Sequence, residues 1–535
     1  MRFFTPASAT LMKKFLGTVL AASTVFAMNC KVQDFLDVNT SPNAPQSVTP
    51  GLYLPPMLDY LVSSPAIDGI QIGQYNQEFL YTSQPTVWSQ MGYAKGSDAA
   101  AQMWRDVYWN FGQNLIDLMT KAEAEKRWDV LGVGYVLKAW GWQVLTDVHG
   151  EIIIKEAFTP GQFLFDYDTQ EFAYGEVQRL LGLAIENLQK TSDGVDAGYL
   201  GRYDKIYNGD RTKWLKFAYG LQAINLSHFS NKATYKPADV IAAVDKSFAS
   251  NADDALMPFP ATQVSTDRSP YGSTRGNINN YRQSQFIVGL MNGTQLGSMV
   301  DPRMSRMLAV DSTGAYRGMD INATGFGTTD NKVKPWNLFG YYATPPAGSP
   351  SRYIFDDKTK FPNMTYAELQ FIKAEAAYRA GDKATALTAY KNGISASFDF
   401  VNARNLDASS LASQITAAEK AAFLADPNIV PTSASSLTLT QIMSQKYVAL
   451  WAWGHLEIWM DLRRYHYTDM DPASGKQVFP GYTPISILFG DNAGKLVQRL
   501  RPRYNSEYMW NLNALKAIGA DALDWHTKPL WITQP

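Results

Sequence analysis

TYAELQFIKAEAAYRAGDKATALTAYKNGISASF, residues Thr365–Phe398, reads as two helices joined by a tight turn. The first runs from about Thr365 to Ala380, with Leu369, Ile372, Ala376 and Tyr378 mostly on one face. Gly381-Asp382 ends it, since glycine takes the left-handed conformation that closes a helix without steric cost. The second carries small or apolar residues at Ala386, Ala389, Tyr390, Gly393 and Ile394. Small residues let two helix backbones approach, and aromatics lock them. The stretch holds no nucleophile and no metal-ligand pair, so its expected work is stacking on neighbouring helices.

Such a pair follows the tetratricopeptide pattern. With Gly381 as the turn glycine, Ala374, Ala386 and Tyr390 fall at its small, small and aromatic positions, while Lys373 stands where the pattern has Leu. Further helices are predicted upstream. One spans about Pro55–Ser64, one carries Trp104, Tyr108, Phe111, Leu115, Leu118 and Met119, and one spans Gly134–Leu145. Others contain the stripe Val177, Leu180, Leu181, Ala184, Ile185, Leu188 and the segment Trp214–Phe229. Three- and four-residue steps between apolar positions mark a helix face. From about Asn251 to Arg352, Gly, Pro, Asn, Ser and Thr dominate, interrupted by one helix over about Gln283–Gly297. Long irregular segments in a folded chain are commonly binding loops. Asp407–Pro431 reads as a short helix with a loop, and Leu439–Tyr465 as one long helix. Strands find little support. The expected class is mostly α: helix pairs over about 55–230 and 364–400, a loop-rich part over 251–352, and a C-terminal helix with loops over 439–535.

The 535 residues include 48 basic and 49 acidic ones, a balance that argues against a nucleic-acid binder. The one cysteine, Cys30, excludes an intrachain disulfide. Lys13-Lys14, an apolar run FLGTVLAASTVFAMN and then Cys30 have the form of an export signal over residues 1–29. A cysteine closing such a signal looks like the acylation site of a bacterial lipoprotein, with Asn29 departing from the usual small residue. Asp37 and Asn39 read as turn formers.

Catalytic patterns are sparse. Asp147, His149 and Glu151 follow a helix at odd spacing and read as a turn closure. Glu457, Asp461 and Arg464 share one helix face at four- and three-residue steps, which favours ion pairing within the fold. Asp469-Met470-Asp471 opens like a calcium loop, but Pro480 at its twelfth position excludes one. No HExxH, GxSxG or phosphate-binding glycine loop occurs. Neither metal nor cofactor is expected.

Several segments together resemble the SusD/RagB-like outer-membrane lipoproteins of Bacteroidota, closest to the SusD-like 2 branch. They are DFLDVNTSPNAP after Cys30, LKAWGWQVLTDVHGEIIIKEAF, DKIYNGDRTKWLKFAYGLQ, AEAAYRAGDKATALTAYKNGI, HLEIWMDLRRYHY and RPRYNSEYMWN. The resemblance implies a tetratricopeptide-like scaffold with a loop-rich ligand side. It implies a lipid-anchored, surface-facing protein that captures oligosaccharides or peptides for a SusC-like TonB-dependent transporter without acting as an enzyme. A secreted glycan hydrolase and a protein-binding repeat scaffold are the competing readings. Aromatics outside any helical stripe nominate the ligand site: Trp88 and Tyr93 in one loop, and Trp336, Tyr341 and Tyr342 in another. A flat ring covers the C–H face of a sugar while amides bond its hydroxyls. Tyr75, Asn76, Gln77 and Asn277–Asn280 are expected to supply polar partners, and Trp88 and Trp336 to flank the ligand.

Overall fold

The computed structural model describes residues 48–262, 267–323 and 334–535. Cys30, the export signal and the Asp37–Asn39 turn lie outside them. The opening pair forms as α7 (Tyr366–Arg379) and α8 (Lys383–Arg404). Thr365 and Glu368 make a reciprocal capping box that satisfies two of the helix's free N–H groups. Gly381 closes α7 at φ +82°. Ala374, Ala386 and Tyr390 are fully buried. Phe371 of α7 packs on Tyr390 at 6.2 Å between ring centroids, and its ring leaves no room for a Cβ at Gly393. The row 386, 390, 393 therefore faces α7. Lys373, off the repeat pattern, points away and pairs with Asp245.

The pair ends an array. α2 (Gly112–Ala124), α3 (Trp128–His149), α4 (Gln170–Gln189), α5 (Arg211–His228) and α6 (Pro237–Lys246) pack each on the next, and α6 continues onto α7. The loop-rich segment between α6 and α7 is thus an excursion from an unbroken helical stack. The fold is mostly helical, as the sequence predicts. Among the described residues, no helix is long and apolar enough to cross a membrane.

Four expectations are corrected. The first helix, α1, runs over Leu54–Tyr75, through Pro65. A proline removes the N–H that would bond the carbonyl four residues back. Here that carbonyl, Leu61 O, instead accepts from Asn363 Nδ2 at 2.7 Å, so the helix continues. The helix around Trp104 is split, with Asp106–Phe111 wound as a π-helix before α2. The helix predicted over Gln283–Gly297 is shorter, Gln285–Met291. The long helix over Leu439–Tyr465 is two, α9 (Leu439–Leu450) and α10 (His455–Arg464). Between them Ala452 turns to φ +69°, where its N–H donates to Glu78 Oε2 at 2.7 Å and Trp451 Nε1 donates to Glu78 O at 2.9 Å. Short strands also form: β1 (Phe79–Tyr81) pairs antiparallel with β3 (Tyr281–Gln283), and β2 (Ala255–Met257) with β4 (Phe361–Met364).

Overpacking tests the α7–α8 contact. Ala386→Trp should cost on the order of 1–3 kcal/mol, since a filled core cannot admit an indole without shifting helices. An unchanged urea midpoint would mean that position 386 does not face α7.

Candidate functional site

The loops that carry the nominated aromatics are held by the β1–β3 ribbon. Buried Glu78 fixes its start, accepting from Asn76 Nδ2 at 2.8 Å and Ala452 N at 2.7 Å and lying 2.9 Å from His455 Nδ1. β1 registers Phe79 on Gln283 and Tyr81 on Tyr281, and the rings of Tyr81 and Tyr281 meet edge to face at 5.3 Å. The ribbon ends where Thr82 N donates to Asn280 O at 2.9 Å.

The first aromatic loop leaves from Thr82. Trp88 is half-buried, its ring against Tyr75 at 5.4 Å and Tyr93 at 5.2 Å. Tyr75 donates to Gly92 O at 2.6 Å and Tyr93 to Ala99 O at 2.7 Å, so both phenols are consumed inside the protein. Burial pushes both far above the ordinary tyrosine range. Tyr93 has no exposed surface. This corrects the expectation of a surface role for Tyr93: it supports Trp88 from beneath. Gln84, in the same loop, keeps both amide atoms buried with no hydrogen-bond partner.

The second loop is tied to the other edge of the ribbon. Arg282 Nε donates to Pro335 O at 2.9 Å, and Asn337 Nδ2 donates to Asn279 Oδ1 at 2.6 Å. Asn337 also accepts from Tyr341 N at 3.0 Å, closing a tight turn through Gly340 at φ +92°. Trp336 and Tyr341 are half-buried, and Tyr341 donates to Pro350 O at 2.6 Å. Tyr342 is 53% exposed. Thus one ribbon end carries both nominated loops, through Asn280 on one side and Asn279 and Arg282 on the other. The ring partners of Trp88 are Tyr75 and Tyr93, not Trp336.

Of the proposed polar partners, Asn277 is exposed and Asn279 and Asn280 are half-exposed. Tyr75, Asn76 and Gln77 are corrected: all three are buried, with Asn76 Nδ2 also bonding His455 O at 2.8 Å and Gln77 Nε2 bonding Thr483 O at 2.6 Å. Tyr81 and Tyr281 escaped the sequence reading because three-residue strands leave no usable periodicity.

The acidic cluster near residue 150 diverges. Asp147 accepts from Tyr174 and from Gln143 Nε2 at 2.8 Å. His149 turns its ring edge to Trp104 at 4.9 Å, and burial lowers its pKa to about 3. Glu151 pairs with Arg499. This corrects the turn-closing expectation: Asp147 and His149 lie inside α3, and each of the three side chains ties the end of that helix to a different segment. Among the described residues, no cluster of three or more metal-ligating side chains occurs.

A family described as starch-binding and associating with the outer membrane, SusD-like 2, matches residues 42–481. The chain belongs to the SusD-like 2 family. Its fold is that of solved SusD-like proteins. A SusD/RagB family protein from Bacteroides thetaiotaomicron superposes with a TM-score of 0.69 at 21% identity, over 91% of this chain and 99% of that one. A chitin-binding SusD homologue from Flavobacterium johnsoniae gives 0.70 at 19% identity, over 90% and 98%. A SusD homologue from Bacteroides fragilis gives 0.69 at 19% identity, over 91% and 100%. Among curated protein sequences none matches this chain. In this SusD-like fold the helical array α2–α8 is the scaffold, and the ribbon with its two loops belongs to the irregular part that the array carries.

Proposed function

We propose that this SusD-like protein binds oligosaccharide at the loops borne by the β1–β3 ribbon and passes it unchanged to a SusC-like TonB-dependent transporter. The observation that carries the reading is the common attachment of both aromatic loops to one ribbon end, through Asn279, Asn280 and Arg282. Trp88 is clamped on two sides by buried tyrosines, so its indole is pre-oriented, and a ligand need not pay to order it. The unpaired amide of Gln84 is a polar group in want of a partner. The family description and the chitin-binding relative favour a glycan.

Titration calorimetry with chitin and starch oligosaccharides tests it. Trp88→Ala and Trp336→Ala should each weaken binding several-fold, as expected when an aromatic face worth about 1 kcal/mol is lost. The recovered sugar should be uncut. Wild-type affinity in both variants, tighter binding of peptides than of glycans, or released reducing ends would each overturn part of the reading. In the same reading Cys30 carries the lipid anchor. Cys30→Ala should move the protein from the membrane to the soluble fraction, and continued membrane retention would contradict acylation there.

A further inference from the structure

A second groove lies at the end of α3, on segments distinct from the ribbon. A cavity of about 650 Å³ opens between the π-helical turn, the loop after Ile153 and the C-terminal segment around Ser506. Its wall is formed by Trp104, Tyr108, Phe158 and Phe165. It adjoins a second hollow of about 440 Å³ that reaches Trp510, and Gln162 and Phe165 line both. The indoles at the two ends are unusually bare: Trp109 is 73% exposed and Trp510 75%. Single exposed apolar residues are ordinary, but two indoles along one continuous groove are not.

The π-helical turn explains the near end. Asp106 holds it, accepting from Ser64, Gln102 Nε2 and Asn110 Nδ2. Trp104 and Tyr108 then point inward, and Arg105 and Trp109, four residues apart, stand outward side by side. Arg105 is exposed and lines the cavity, and its guanidinium makes no ion pair or hydrogen bond to a described residue. Arg503, also on the rim, is ion-paired with Asp98 at 3.3 Å. Inside, Ser506 Oγ is buried with no hydrogen-bond partner, whereas Glu507 is occupied by Tyr167 at 2.8 Å and Asn511 at 3.0 Å. The groove therefore offers flat rings for stacking, a free buried hydroxyl, and on its rim one guanidinium, Arg105, without an ion pair, while Glu507 inside is held by neutral donors.

We infer that this groove is a second saccharide site, and that it takes an acidic oligosaccharide, with a sugar ring on Trp109 and its carboxylate on Arg105. An indole covers the C–H face of a pyranose, and a guanidinium grips a carboxylate with two parallel hydrogen bonds. The inference rests on the glycan reading of the protein but uses none of the residues of the ribbon site.

The test uses a short uronic-acid oligosaccharide and its carboxyl-reduced counterpart, titrated into wild type, Arg105→Gln, Trp109→Ala and the Trp88→Ala/Trp336→Ala double variant. Wild type and the double variant should both bind the acidic chain at least about tenfold more tightly than the reduced one. Arg105→Gln should abolish that preference, and Trp109→Ala should weaken both ligands. Both side chains are solvent-facing, so the variants should melt with wild type. Equal binding of the two sugars, or wild-type binding by Trp109→Ala, overturns the inference. Loss of acidic-sugar binding in the double variant alone overturns it too, while upholding the ribbon site. Acidic-sugar binding confined to Trp109, with no glycan affected by Trp88 or Trp336, upholds this groove and refutes the ribbon reading. An acidic peptide that outcompetes the sugar at Trp109 would reassign the groove to polypeptide.

Discussion

Lys446→Met should destabilise the protein by about 3–5 kcal/mol without altering its ligand site. Lys446 has no exposed surface, and its ammonium lies 2.6 Å from Glu457 Oε1 and 2.8 Å from Asp461 Oδ2. Arg464 continues the chain, donating to Asp461 at 2.6 Å and, through two nitrogens, to both oxygens of Glu375 at 2.8 Å. Tyr465 adds a bond to Glu375 at 2.6 Å. The network thus pins α9 and α10 onto α7. Burial alone would push Glu457 and Glu375 upward, but Lys446 and His228 hold the first, and Arg464 and Arg379 the second, well below the ordinary carboxylate range. Methionine keeps the volume of Lys446 and removes its charge, leaving two buried carboxylates facing each other. Losing one member of a buried pair costs far more than losing the whole pair, because the survivor keeps its desolvation penalty. Urea unfolding measures the effect. A loss below about 1 kcal/mol would show that water or rearrangement already compensates these charges.

Half of that network was legible. Glu457, Asp461 and Arg464 reveal their shared face through spacing, because one helix carries all three. Lys446 and Glu375 do not, since they come from other helices and only packing brings them in. The break between α9 and α10 was hidden for a related reason. Trp451-Ala452-Trp453 continues an apolar pattern, and the group that bends it, Glu78, lies more than three hundred residues earlier in the chain. Pro65 misled in the opposite sense, because the distant Asn363 satisfies the carbonyl that proline strands. At the nominated site, lying off a helical stripe says which face a residue does not share, and it says nothing about burial. Tyr93 therefore lies in the core while Tyr342 stands in solvent. Trp109 too lies off the stripe of Trp104, Tyr108 and Phe111, and there the indole stands in solvent.

His228 should contribute a loss of roughly 3 kcal/mol of stability as pH rises from about 6.5 to 9, and His228→Gln should remove that part of the fall. His228 is buried, with Nε2 2.9 Å from Glu457 Oε2 and Nδ1 3.5 Å from Asp147 Oδ1. Tyr174 and Gln143 also face its ring. Burial by itself would favour the neutral imidazole, but Asp147 and Glu457 overcome it and raise the pKa to about 9. The folded protein then holds a proton that the unfolded chain releases near pH 6.5. The stabilisation is complete below that pH and is lost as pH climbs through 9. Buried carboxyls act on other windows. Burial raises Asp68 and Asp254 to about 7, and both are also raised acids, so their contribution falls between about pH 4 and 7. Glu368, which burial and then Glu457 raise to about 8, overlaps the lower half of the histidine window. The interval from pH 8 to 9 therefore isolates His228. Urea unfolding across it should show a falling free energy in wild type and a nearly flat one in His228→Gln. Equal slopes in the two proteins would mean that the imidazole is neutral in the fold, and that Lys446 alone balances Glu457.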